Sequence, residues 1–137
     1  MQNKESMIRQ KMDAFDYVNE AVKTDLLEYQ PVWTRLGNYR TIRILHATMG
    51  ICTESGELMD AVKKHLLYGK DLDYTNIKEE TGDLFWYIAL LADAVGFTFE
   101  DTFDKNIAKL RARYPNRFTE HDALNRNLEK ERKILSD

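Results

Sequence analysis

An all-α fold is the expectation, and three observations carry it. Apolar residues recur at three-, four- and seven-residue steps through every long segment. No run of alternating β-branched residues is long enough to make a strand. The only prolines, Pro31 and Pro115, stand far apart and divide the chain into three pieces. Four main helices and a short charged C-terminal helix are expected, in a four-helix-bundle-like single domain spanning residues 1–137 with its core at about 40–114.

In the first piece, Ile8, Met12, Phe15, Val22 and Leu26 form one apolar stripe, ending near Gln30 because Pro31 disfavours helix in the residue before it. Residues 31–38 then read as a connector carrying Trp33 and Gly37. A long helix from about Arg40 to Leu67 fits Ile42, Leu45, Met49, Cys52 and Leu58. YGKDLDYTN, from Tyr68, has the chemistry of a loop. Thr75 or Asn76 is the expected cap of the next helix, with Glu79 as a capping-box partner for Asn76. That helix runs to Val95 and stops at Gly96. Thr98 caps a fourth helix through Arg113, striped by Phe99, Phe103, Ile107 and Leu110, and Thr119 starts a charged helix ending near Leu135.

Composition narrows the function. In 137 residues, 43% hydrophobic and 31% charged, there is apolar material for a core, which argues against disorder. Twenty basic and 23 acidic side chains give a net charge of -3, so no general polyanion-binding surface and no nucleic-acid partner is expected. The longest apolar run, Leu84 to Ala92, falls short of the roughly 20 residues that cross a bilayer. The N-terminus lacks an apolar signal core, and a lone Cys52 offers neither disulfide nor zinc site. A cytoplasmic protein with no membrane partner is the expectation.

Acidic residues three apart share a helix face, and six such pairs occur, so a pair alone means little. Two differ in their surroundings. Glu54-Ser55-Gly56-Glu57 and Glu80-Thr81-Gly82-Asp83 share a pattern of acid, hydroxyl, glycine, acid inside helices, where a glycine costs about 1 kcal/mol relative to alanine. The paired glycines suggest that two helices approach closely there. Asp83 also runs into LFWYIALLA, which is expected to be largely buried, so part of the acidic face points inward. Four carboxylates from two helices make a hard, all-oxygen site suited to Mg²⁺, with Mn²⁺ as a substitute. The alternative from spacing alone is that Glu54 and Glu80 are surface residues beside a tight helix crossing. A di-iron bundle is disfavoured, because Glu-x-x-His occurs nowhere in the chain.

Glu54-x-x-Glu57, a gap of 22 residues, then Glu80-x-x-Asp83 and an apolar run resembles the MazG-like all-α nucleoside triphosphate pyrophosphohydrolases. HATMGICTESGELMDAVKKHLLYGKDLD, EETGDLFWYIALLADAVG and NIAKLRARYPNRF are similar to the compact single-domain members, including those of bacteriophages, over roughly residues 40 to 118. Thr53 departs from the pattern, standing where many members have the first glutamate of a doublet. The resemblance implies hydrolysis of a (deoxy)nucleoside triphosphate to the monophosphate and pyrophosphate, for nucleotide-pool control or house-cleaning. It makes Glu54, Glu57, Glu80 and Asp83 both the catalytic and the Mg²⁺-binding residues. It also implies a MazG-type fold and places Asn106, Lys109, Arg111 and Arg113 where the family has phosphate or sugar contacts.

Other candidates carry two readings each. Lys63 and Lys64 reach a phosphate or pair with Asp60; Tyr87 bonds a phosphate or sugar, or is a core tyrosine. Trp33 stacks on a base or staples helices together, and His46 is a substrate contact or a helix-packing histidine. The expected partners are a nucleoside triphosphate and further copies of the chain, as dimer or tetramer, in the host cytoplasm if phage-encoded. The competing hypothesis is a non-catalytic helical interaction protein that keeps the fold.

Overall fold

Short polar residues start the main helices by accepting the backbone N–H groups of the first turn, which have no partner inside the helix. The computed structural model of the chain describes residues 12–136. Asn38 Oδ1 accepts from the N–H of Arg40 at 2.9 Å and of Thr41 at 3.2 Å, opening α3 (Tyr39–Tyr68). Asp73 does the same for α4 (Tyr74–Val95), and Thr98 for α5 (Phe99–Arg113). Glycines in the left-handed conformation end the first two, Gly69 at φ 65° after α3 and Gly96 at φ 88° after α4. The cap of α4 lies at Asp73 and not, as expected, at Thr75 or Asn76, because Asp73, two and three residues earlier, accepts the N–H groups of both.

Before these come α1 (Ala14–Lys23) and α2 (Gln30–Leu36), and after them α6 (Glu120–Leu124) and α7 (Leu128–Ser136). Among the described residues there is no strand, and the chain is all-α. Two differences from expectation have local causes. The first helix stops at Lys23, where the Thr24 hydroxyl donates to the Ala21 carbonyl, and residues 30–36 form a helix rather than a connector. Pro31 is compatible with it, since a first-turn residue needs no N–H partner. Ile8 of the expected stripe lies outside the described residues. The C-terminal segment is two helices, separated where Asn125 ends α6 and Asn127 Oδ1 accepts the N–H of Lys130 at the start of α7.

The chain divides into two units between Leu36 and Gly37, each described by itself. In the second unit the extensive packings are α3 with α4 and α5 with α7. The first is antiparallel. Arg40, at the start of α3, donates to the carbonyls of Ala94 and Val95 at the end of α4, at 2.7 and 2.6 Å, and Arg43 pairs with Asp93 at 2.6 Å. What α3 and α4 bury is small: Ala47, Gly50, Ala61, Ala92 and Ala94, together with Glu80. The chain bends by 98° between α4 and α5.

The apolar run Leu84–Ala92 is not largely buried as expected. Phe85 is 58% exposed and Trp86 54%, with only Ala92 of the run buried. The cause is that α4 packs extensively on α3 alone, which leaves its other face open. No single helix among the described residues is long and apolar enough to cross a membrane.

Candidate metal centre

Periodicity brings three of the four singled-out acids together. Glu54 and Glu57 lie one turn apart on α3, and Glu80 lies on α4 directly across the antiparallel seam. One oxygen from each falls within 4.8 Å of the others. Asp83 is exposed and outside this trio, although its negative charge still acts on Glu54. Glu80 is buried at 5% exposure, and its Oε1 accepts from Asn76 Nδ2 at 2.6 Å. Thr53 Oγ1 donates to the Gly50 carbonyl at 2.9 Å and to Glu54 Oε1 at 3.2 Å.

Desolvation pushes the Glu54 carboxyl above the usual carboxylate range, against the lowering effect of the Thr53 hydroxyl. The charge of Glu57, the closeness of the Glu80 carboxyl and the charge of Asp83 push the same way. Among the described residues, no Lys, Arg or His forms an ion pair with Glu54, Glu57 or Glu80. Glu57 and Glu80 line a cleft of about 490 Å³, whose walls also include Thr53, Gly56, Asp60, Lys64 and Asn76. Lys64 pairs with Asp60 at 2.6 Å on the wall of this cleft. It is also on the wall of a second cleft, about 480 Å³, with Lys70, Asp71, Asp73 and Asn76.

The other candidates fall at varied places. The rings of His46 and Tyr87 meet edge to face across the seam at 5.7 Å. Tyr87 lies over Gly50, where a β-carbon would come within 2.1 Å of its ring. This is the close approach expected at Gly56 and Gly82, where a β-carbon would meet nothing within 4 Å. The bulk of Tyr87 sets the contact point, and Gly56 instead opens the cleft. Asn106 Oδ1 accepts from Lys109 Nζ at 2.6 Å on α5. The Arg113 guanidinium makes a two-pronged contact with Glu131 of α7, Nε to Oε1 at 2.8 Å and Nη2 to Oε2 at 2.5 Å. Trp33 is exposed on α2, in the first unit.

Sequence reasoning missed Asn76 and Glu131. An Asn four residues before a Glu on one helix was a readable signal for the first. Nothing local marks the second, whose partner Arg113 is 18 residues away.

Residues 44–118 match the MazG nucleotide pyrophosphohydrolase domain, a span that contains all four acids. The chain is similar to the Gene 37 protein of Mycobacterium phage L5, 34% identical over 73 residues. That stretch is 50% of this chain and spans 63% of the phage protein. No solved structure gives a significant match.

Proposed function

We propose that this chain, which belongs to the MazG nucleotide pyrophosphohydrolase family, hydrolyses a nucleoside or deoxynucleoside triphosphate between its α- and β-phosphates. The observation that carries the reading is the carboxylate trio within 4.8 Å, from two helices, with no cationic partner among the described residues. Such a set is costly unless a cation joins it, and an all-oxygen set of this charge fits a hard divalent ion. Glu54, Glu57 and Glu80, with Asp83 at the rim, would hold Mg²⁺, and Mn²⁺ is a fitting substitute. When bound, the ion offsets the repulsion between carboxylates and triphosphate, acidifies water and stabilises the departing pyrophosphate.

The chain's own groups divide the remaining work. A glutamate of the first pair, Glu54 or Glu57, orients the attacking water and takes its proton. Lys64, on the cleft wall, has one ammonium for Asp60 and for a phosphate oxygen, so substrate competes with Asp60 for it. Tyr87 and His46 continue the same seam one to two turns from the acids and contact the sugar or base. Asn106, Lys109 and Arg113 of α5 and Trp33 of α2 are the remaining proposed substrate contacts, and Arg113 must share its guanidinium with Glu131. The biological role is nucleotide-pool control or house-cleaning in the cytoplasm, without membrane or nucleic-acid partner.

A homo-oligomer, dimer or tetramer, belongs to the proposal. Ile42, Leu45 and Met49 on α3 and Phe85 and Trp86 on α4 are exposed in the single chain. A second helical hairpin would cover them and give four helices around one core. The same exposed face favours a second reading, a non-catalytic interaction protein that binds other helices through it.

Turnover in ¹⁸O-labelled water with Mg²⁺, across a panel of nucleotides, separates the two. The expected result is label in the nucleoside monophosphate and unlabelled pyrophosphate. Release of orthophosphate with a diphosphate product overturns the α–β assignment, and no release from any nucleotide favours the interaction protein. Sedimentation at micromolar concentration checks the assembly, and a monomer-sized particle counts against it.

A further inference from the structure

We infer that Asn76 is a positioning residue of the carboxylate centre, its side-chain amide holding Glu80 in place without cancelling its charge. This rests on the metal-site reading above. Asn76 is the third residue of α4, and its backbone N–H is already held by Asp73 Oδ1 at 3.0 Å. At this position a Glu or Gln side chain reaches back to the capping residue. Asn76 does the reverse. Its Nδ2 reaches one turn forward to Glu80 Oε1, at 2.6 Å.

The chemistry explains why an amide stands there. Glu80 is buried, and a buried carboxylate needs donors. An arginine or lysine would supply them and neutralise the charge, removing the attraction that a hard cation requires. A neutral amide satisfies one oxygen and leaves the full negative charge on the group. With Oε1 held by Asn76, rotation of the carboxylate is restrained and Glu80 is presented to Glu54 and Glu57, one oxygen of each lying within 4.8 Å of the others. Asn76 also stands on the wall of both clefts, so its side chain bounds the acidic cleft on the side of Lys70 and Asp71.

The test measures Mn²⁺ binding to the full chain without nucleotide, by titration calorimetry or electron paramagnetic resonance. Asn76→Ala keeps the helix, alanine being the better helix former. It is expected to weaken Mn²⁺ binding by about 10–100-fold, the range for a residue that orients a ligand. At saturating Mn²⁺ the kcat and the KM for nucleotide should return close to wild type, a split that general structural damage would not give. Thr75→Ala, one residue earlier and on the wall of the second cleft only, should leave Mn²⁺ affinity unchanged. Should Asn76→Ala not fold, Asn76→Ser, polar but too short to reach Glu80, carries the same expectation. Wild-type Mn²⁺ affinity in a folded Asn76 variant, or an equal loss in Thr75→Ala, overturns the inference while leaving the metal reading intact. A wild-type chain that binds no Mn²⁺ overturns both.

Discussion

Glu80 and Glu131 are buried to the same degree, 5% exposed each, and keep opposite company. Glu131 accepts from Arg113 and from Arg126, with the closest contacts at 2.5 and 2.7 Å. Those two guanidinium groups, Arg113 foremost, hold its carboxyl down to about 2. Glu80 meets one neutral amide and two further carboxylates. Burial alone therefore does not distinguish a structural acid from one proposed to hold a metal. What distinguishes them is whether the charge has been cancelled. At α5–α7 it is cancelled, and the result is a clasp between helices. At α3–α4 it is kept, and the chain forgoes stability to keep it.

The sharpest way to break this contrast is to remove charge where it is uncancelled. Glu57→Gln and Asp83→Asn keep shape and lose charge, so circular dichroism should stay native. Pyrophosphate release and Mn²⁺ affinity should fall by more than the roughly 100-fold typical of residues one shell farther out. A fully active variant with a native spectrum would remove that residue from the centre.

Removing the cancelled charge should act on stability instead. Glu131→Ala leaves Arg113 and Arg126 facing each other without their acid, and the thermal midpoint should drop by at least about 4 °C. Mn²⁺ affinity of the trio should be unaffected. The same clasp predicts an acid limb. Its folded value lies below the ordinary 4.5, so its contribution is complete above pH 4.5 and is lost as pH falls toward about 2. Thermal melts across that window should lose this limb in Glu131→Gln, and an unchanged limb would sink the assignment.

The smallest effect has the opposite sign. Glu54 lies above its ordinary value, so its ionisation weakens the metal-free fold as pH rises through the raised value. Glu54→Gln should therefore raise the metal-free thermal midpoint slightly at neutral pH, and leave it unchanged in acid where Glu54 is already protonated. A lower midpoint at neutral pH would mean that the trio is not mutually repulsive.

Much of this architecture was legible because it is local. Gly96, Thr98 and Thr119 act within one turn of themselves, and the helical period alone placed Glu54 and Glu57 on one face. Pro31 hid α2, since the same ring that breaks a helix interior is accommodated in a first turn. Asn76, three residues before Glu79, has the spacing of a cap, but the helix already begins at Asp73, which accepts the N–H groups of Thr75 and of Asn76 itself. The Arg113–Glu131 clasp bridges 18 residues with no pattern between, so only packing reveals it. Exposure of Phe85 and Trp86 was hidden for another reason: hydropathy reports that a face seeks cover, not which chain covers it.

Gly50 stands one turn before Glu54, under the ring of Tyr87. The gap across which Glu54 faces Glu80 is gauged there by an atom the chain omits. Any larger residue would work as a wedge at the fulcrum of the two helices, levering the acids apart without touching them. Tolerance to substitution at Gly50 is thus a ruler for the ion the proposed centre would accept: widening the jaws should favour a larger cation such as Ca²⁺ over Mg²⁺.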